Sequence, residues 1–105
     1  MKIREYFKEE DFILSLEGDF DETSSPGVEE KLEQVLSRNI KSICFDLSNV
    51  PYISSAGIRV LIIAYKKAAK SGKKVLMGGM SDRVREVLET VGILPLFAAG
   101  GRQER

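Results

Sequence analysis

The feature that most constrains the fold is a short, uninterrupted apolar run at residues 43–45 (ICF), with polar residues on both sides. Three apolar residues are too few for a helix, and because successive side chains of a strand point to opposite faces, both faces of this segment must be buried. A strand buried on both faces is typical of the centre of a sheet that carries helices. The chain therefore has to supply a helical layer.

Four further segments have the pattern of strands. Residues 2–7 (KIREYF) and 11–18 (DFILSLEG) are separated by polar residues and predict a hairpin, because apolar positions alternate along the second segment. Residues 73–78 (KKVLMG) form another short buried run, and residues 94–99 (LPLFAA) are expected to add a last edge strand.

Three segments have apolar residues at helical spacing. The first has Ser25 as its expected N-cap and Pro26 at the first helical position, the second runs from about Ser55 to Lys70, and the third has Ser81 as its N-cap. The residues expected to face inward are Val28, Leu32, Val35 and Leu36 in the first helix, Ile58, Leu61, Ile62, Tyr65 and Ala69 in the second, widened by Val60, Ile63 and Ala64, and Val84, Val87, Leu88 and Val91 in the third.

The resulting order β-β-α-β-α-β-α-β predicts an α/β fold. Because crossovers between parallel strands are right-handed, the later helices pack on the sheet. We expect a single small domain over residues 1–98, with a mixed β-sheet of about four to five strands and helices packed on it. Residues 99–105 are expected to form a mobile C-terminal tail.

Composition narrows the classes of function. Histidine is absent, which removes the usual general base and the commonest metal ligand, so we expect neither an enzyme nor a metal or other cofactor. No apolar run reaches the roughly 18 residues of a membrane span, and the N-terminus lacks the apolar core of a secretory signal. We therefore expect a cytoplasmic protein without a membrane partner, in which the single cysteine, Cys44, is a buried thiol.

Charge is unevenly distributed along the chain. Residues 1–50 contain 6 Lys and Arg against 12 Asp and Glu, and residues 51–105 contain 10 against 4. This asymmetry indicates either a dipolar surface for a charged protein partner or solvated helix faces. The lysines of residues 66–74 have no aromatic residues between them and the net charge is zero, so no nucleic acid partner is expected.

Two adjacent serines, Ser54 and Ser55, stand where a buried strand gives way to a helix, in residues 51–62 (PYISSAGIRVLI). An N-cap accounts for one serine. A phosphoryl group on the other would meet free backbone N–H groups and the positive helix end, while Ala56 and Gly57 keep the approach open. The sequence thus suggests a serine switch that adds roughly two negative charges to a protein-contact surface.

Residues 45–79 (FDLSNVPYISSAGIRVLIIAYKKAAKSGKKVLMGG) resemble the central segment of STAS domains, in particular of bacterial anti-sigma factor antagonists, which carry Asp-Ser-Ser/Ala-Gly before an apolar helix. The similarity extends to residues 16–22 (LEGDFDE) and 81–97 (SDRVREVLETVGILPLF). The resemblance implies a non-enzymatic protein whose unphosphorylated form binds an anti-sigma factor, itself a Ser/Thr kinase, and so frees a sigma factor. The kinase then phosphorylates the serine and ends the complex, and a phosphatase resets it.

The family's functional residues are carried over by position. Ser55 falls on the phosphorylated serine, with Ser54 as the runner-up because it stands where the family commonly has Asp. Gly57 falls on the motif glycine and Asp21 on the acidic residue beside the site. The residues that we expect to bind the partner are Asp21, Glu22, Ser54, Gly57, Ile58 and Arg59.

Two other functions are weighed against this one. A STAS adaptor of another assembly, such as a stress-signalling scaffold or a lipid-transport complex, would have the same fold and serine. Residues 71–74 (SGKK) formally fit the Ser-x-x-Lys of some acyl-transfer enzymes, but they lie in a turn between a helix and a strand, where Ser and Gly are common. Asp19, Asp21 and Glu22 are interpreted as loop acids beside the switch, not as metal ligands.

Overall fold

The computed structural model describes residues 1–99, so the predicted tail lies, apart from Ala99, outside the described residues. One sheet runs in the order β1-β2-β3-β4-β5, which is also the order of the strands along the chain. β1 is antiparallel to β2, and the other neighbouring strands are parallel. The strands are β1 (Lys2–Lys8), β2 (Asp11–Glu17), β3 (Ser42–Asn49), β4 (Lys74–Met80) and β5 (Ala98–Ala99). The predicted mixed sheet is confirmed.

Within residues 1–99, three helices connect the parallel strands, namely α1 (Ser25–Leu36), α2 (Ser55–Lys70) and α3 (Asp82–Thr90). Ser81 caps α3 as predicted, because its hydroxyl accepts a hydrogen bond from the Val84 N–H at 3.2 Å. The segment predicted as an edge strand is a strand only at its end. A 3₁₀ turn, Leu94–Leu96, precedes β5, because the fixed φ of Pro95 suits a helical turn and Pro95 has no N–H to donate to a strand.

β3 lies at the centre of the sheet and of the core. Ile43, Phe45 and Leu47 are fully buried in one cluster with apolar residues of all three helices. Phe12 of β2 pairs with Ile43, so the core face of the hairpin strand continues directly onto β3. Cys44, on the same strand, is buried as predicted.

The buried face of α2 differs from the predicted one. Its buried residues are Ala56, Gly57, Val60, Leu61, Ala64 and Ala68, whereas Ile58, Ile62, Ile63 and Tyr65 are half-buried and Ala69 is exposed. Small residues on the buried side let the helix lie close to its neighbours, and the larger side chains fill its flanks, as where Tyr65 meets Phe97 edge-on with ring centroids 6.2 Å apart. Val91, also predicted to face inward, is 49% exposed because α3 ends before it.

Candidate functional site

The junction between β3 and α2 gives the two serines different surroundings. Ser54 has extended backbone and is 7% exposed, and its Oγ accepts a hydrogen bond from the Ala56 N–H at 3.2 Å. Ser54 is therefore the N-cap of α2. Ser55 is the first residue of the helix and is exposed, and its hydroxyl makes no hydrogen bond within residues 1–99. Of the two serines, Ser55 is the one whose hydroxyl a second protein can reach.

The loop that follows β2 packs directly against this junction. The Phe20 carbonyl accepts the Ser54 N–H at 2.9 Å, and the Phe20 N–H donates to the Tyr52 carbonyl at 2.9 Å. Gly57 lies against the same loop: a Cβ there would come within 2.6 Å of the Phe20 carbonyl oxygen and 2.8 Å of an Ile53 side-chain carbon. The glycine is therefore required by the close approach of the protein's own loop.

Asp21 holds the turn that leads into α1. Its Oδ1 accepts the N–H groups of Thr23 at 3.1 Å and Ser24 at 3.2 Å, and its own N–H donates to the Ser24 hydroxyl at 3.0 Å. The Ser25 N–H donates to the Asp21 carbonyl at 2.8 Å. The predicted N-cap at Ser25 is wrong, because Ser24 occupies the cap position and Ser25 is already helical. The Ser25 hydroxyl is buried and has no hydrogen-bond partner among the described residues.

A cleft of about 150 Å³ opens between the first turns of α1 and α2. Its lining includes two carboxylates, Glu22 and Glu29, and one cation, Arg59, together with Ser25. None of the three charged side chains forms an ion pair within the described part of the chain. The cleft therefore has charged groups at its mouth that are available to a ligand or to a modification nearby.

The residues predicted to bind a partner come together around this junction, but the structure exposes them to different extents. Ser54 and Gly57 are buried, Asp21 and Ile58 are half-buried, and Glu22 and Arg59 are exposed together with Ser55. The exposed members can contact another protein directly. The buried ones shape the surface that the others present.

Tyr52 belongs to the same surface and was missed by the sequence analysis. Its side chain is 48% exposed, in the loop whose backbone pairs with Phe20, two residues before Ser54. Aromatic side chains are enriched where proteins contact one another. The signal in the sequence was an aromatic residue beside the serine pair, in a segment interpreted only for its hydroxyls and its glycine.

Two acidic residues near the junction take part in the loop itself. Asp21 holds the turn through its carboxylate, whereas Asp19 takes part through its backbone carbonyl, which accepts the Ser24 hydroxyl at 2.8 Å. Within residues 1–99, no three His, Cys, Asp or Glu side chains are grouped as metal ligands would be. In that same stretch, no helix has the length and apolar character needed to cross a bilayer.

Nearly the whole chain matches one family model, that of the STAS domain, over residues 2–102. The chain belongs to the STAS domain family. The resemblance drawn from residues 45–79 is thereby confirmed, and the serine junction of this STAS domain lies within the matched region.

Curated relatives of this STAS domain are anti-sigma factor antagonists. The putative anti-sigma factor antagonist BtrV of Bordetella bronchiseptica is 27% identical over 92 residues, which cover 88% of this chain and 79% of that protein. The anti-sigma-B factor antagonist of Listeria monocytogenes is 29% identical over 76 residues, which cover 72% of this chain and 67% of that protein. The sequence relationship is therefore to regulatory proteins of transcription.

The anti-sigma factor antagonist SpoIIAA has the same fold. In its unphosphorylated form it superposes with a TM-score of 0.83 at 14% identity, covering 98% of this chain and 91% of SpoIIAA. In its phosphorylated form it superposes with a TM-score of 0.75 at 13% identity, covering 98% of this chain and 95% of SpoIIAA. SpoIIAA is thus a protein of this fold that has been observed in both modification states.

Proposed function

We propose that this STAS domain is an anti-sigma factor antagonist controlled by phosphorylation of Ser55. The unphosphorylated form binds an anti-sigma factor of the Ser/Thr kinase type and so releases a sigma factor, and phosphorylation ends the binding. One observation carries the proposal: Ser54 provides the helix cap, which leaves Ser55 exposed and without a hydrogen bond inside the described residues. The existence of SpoIIAA in unphosphorylated and phosphorylated forms supports it.

The chemical step transfers the terminal phosphoryl group of ATP, held by the kinase, to the Ser55 oxygen. The Oγ–P bond forms as the bond from the γ-phosphorus to the bridging oxygen breaks, and ADP leaves with that electron pair. The hydroxyl proton passes to a carboxylate base of the kinase. The helix dipole of α2 favours the new anion at its N-terminal end, so the domain keeps its fold while its surface gains roughly −1.5 to −2 charges.

The proposed contact surface surrounds Ser55. Glu22, Ile58, Arg59 and Tyr52 provide side chains that a partner can reach, with Asp21 at the edge. Ser54 and Gly57 contribute through the shape of the junction, because both are buried. A phosphate placed among these groups acts on the partner directly and does not require any rearrangement of the core.

The remaining parts of the proposal follow the same relatives. The domain acts by binding in the cytoplasm, it has no catalytic residues of its own, and it needs no cofactor. The enzyme in the cycle is the kinase partner. A Ser/Thr phosphatase that removes the phosphate completes the cycle and restores binding.

A calorimetric titration against each candidate anti-sigma kinase of the same organism tests this function. Without ATP, the wild type and Ser55→Ala are expected to bind alike, and Ser55→Asp is expected to bind at least about tenfold more weakly because a charge enters the contact. With ATP present, only Ser55→Ala should stay bound. Ser54→Ala is the matched control, expected to lose stability and keep the switch.

Equal binding of wild type, Ser55→Ala and Ser55→Asp in the presence of ATP would exclude the switch. If none of the kinases binds any of the variants, the adaptor function without an anti-sigma role takes its place.

A further inference from the structure

Arg59 is the cation placed one helical turn from Ser55. The two residues are four apart in α2 and both are exposed. Side chains four residues apart on a helix lie on the same face, with their Cβ atoms about 5–6 Å from each other. Arg59 lines the cleft with Glu22 and Glu29 and forms no ion pair in residues 1–99. Its guanidinium is therefore available to a new anion at Ser55.

The order of the two residues suits an ion pair. An anionic residue that precedes a cationic one by four positions has the favourable orientation on a helix, because it also agrees with the helix dipole. A phosphate monoester has three acceptor oxygens, and the planar guanidinium can donate two parallel hydrogen bonds to them. The positive end of the α2 dipole also favours an anion at Ser55.

We infer that Arg59 is the intramolecular counter-ion of a phosphate on Ser55. This inference rests on the proposed function, in which ATP supplies the phosphoryl group. After the transfer, the guanidinium leaves the mouth of the cleft and pairs with the phosphate. Glu22 and Glu29 then face the partner without their neighbouring cation. One modification therefore adds an anion to the contact surface and withdraws a cation from it.

The test uses the full chain with phosphoserine inserted genetically at position 55, so that no kinase is needed. Phosphorus NMR across a pH titration reports the second pKa of the phosphate. The variants are Arg59→Gln, which removes the proposed partner, Arg59→Lys, which keeps the charge but not the planar fork, and Lys66→Gln as a matched control. Lys66 is exposed on the same helix and has no ion pair in residues 1–99. Lys66 lies roughly 16 Å from Ser55 along the helix axis.

A nearby cation favours the dianion, so the phosphate pKa is expected to be lower in the wild type than in Arg59→Gln. The expected difference is about 0.3, roughly twofold in the dissociation constant. Lys66→Gln should match the wild type, because its distance exceeds the screening length of about 10 Å at 0.1 M salt. The phosphate pKa in Arg59→Lys should fall between those of the wild type and Arg59→Gln. The Arg59 Nε–H signal of the wild type should move on phosphorylation.

The same phosphate pKa in the wild type and Arg59→Gln would overturn the inference. A rise of this pKa in Lys66→Gln as large as that in Arg59→Gln would also overturn it, because it would indicate a general charge effect. These outcomes are independent of the proposed function. If no kinase modifies Ser55, the titration of the inserted phosphoserine still decides whether Arg59 pairs with it.

Discussion

Ser54 and Ser55 have the same side chain and lie next to each other, yet their surroundings give them different roles. The extended backbone at Ser54 turns its hydroxyl towards the Ala56 N–H, where it completes the first turn of α2. One residue later the backbone is helical and the Ser55 hydroxyl lies at the surface. The stability of the helix and the proposed modification are therefore separable by single substitutions.

Ser54→Ala is expected to lower the free energy of unfolding by about 1 kcal/mol, because the Ala56 N–H loses its acceptor. Ser55→Ala is expected to change it by less than about 0.5 kcal/mol, as is usual for an exposed side chain without partners. Urea denaturation of the two variants beside the wild type measures both. A larger loss in Ser55→Ala than in Ser54→Ala would contradict the assignment of the cap.

Gly57→Ala is expected to destabilise the domain by at least about 1–3 kcal/mol, because the added Cβ meets the Phe20 carbonyl and the loop after β2 must shift. Gly27 offers a matched control in α1, since a Cβ there meets nothing within 4 Å. Gly27→Ala should stabilise by about 0.4–1 kcal/mol. Thermal melts of both variants check this pair, and equal melting temperatures would contradict the close approach at Gly57.

At the level of elements, the N-terminus of α2 is where helix stability and the proposed switch meet. Its first turn contains no acidic residue, while Lys67 and Lys70 lie in its last turn. The helix dipole is thus complemented at its C-terminal end and not at its N-terminal end. An anion at Ser55 would complement the dipole at the N-terminal end.

Ser55→Asp is expected to be more stable than the neutral, isosteric Ser55→Asn by about 0.3–1 kcal/mol at neutral pH and low salt. The helix end lowers the pKa of the new carboxyl, so the difference exists above its unfolded pKa and disappears as the pH falls through the folded one. Denaturation at pH 7 and pH 3 measures it. A less stable Asp variant at pH 7 would show that the folded domain does not favour an anion there.

The sequence predicts the bounds of the elements better than their orientation. The bounds of α2 follow from a serine at one end and a lysine-rich turn with glycine at the other. Its buried face could not be predicted, because the helix is apolar nearly all round and packing selects the side with small residues. The start of α1 was misplaced by one residue, since two adjacent serines are equivalent in sequence until Asp21 engages the first of them.

Parts of the candidate site depend on contacts that a linear pattern does not contain. Ser55 was predicted from the helix junction and from the family motif, and the structure leaves it exposed. Gly57 was expected to keep the approach to the serines open, but it is buried against Phe20, which is far away in sequence and which no linear pattern places beside it. The cleft at Arg59 likewise exists only because α1 and α2 pack side by side.

For the whole molecule, the strands lie in the sheet in the same order as along the chain, so the uneven distribution of charge along the sequence becomes an uneven distribution in space. Residues 1–50, which are acidic overall, form β1, β2, β3 and α1, and the basic second half supplies α2, β4 and α3. The Lys67–Glu33 ion pair joins α2 to α1 across the boundary between the halves. The proposed contact surface lies at this boundary and presents both signs of charge.

Association with the proposed kinase partner is therefore expected to slow by about tenfold between 0.05 and 0.5 M salt, while dissociation changes little, because long-range attraction is screened. Stopped-flow mixing at several salt concentrations measures both rates. An association rate independent of salt would indicate that the two halves are merely solvated surfaces.

The most direct test of the switch is peptide mass spectrometry of the wild-type protein after incubation with ATP and each anti-sigma kinase of the same organism. One phosphate, localised to Ser55, is the expected result with the partner kinase. Phosphate on Ser54 would contradict the assignment of the exposed residue as the acceptor. No phosphate with any of the kinases would contradict the switch itself and leave a STAS domain that binds its partner without being modified.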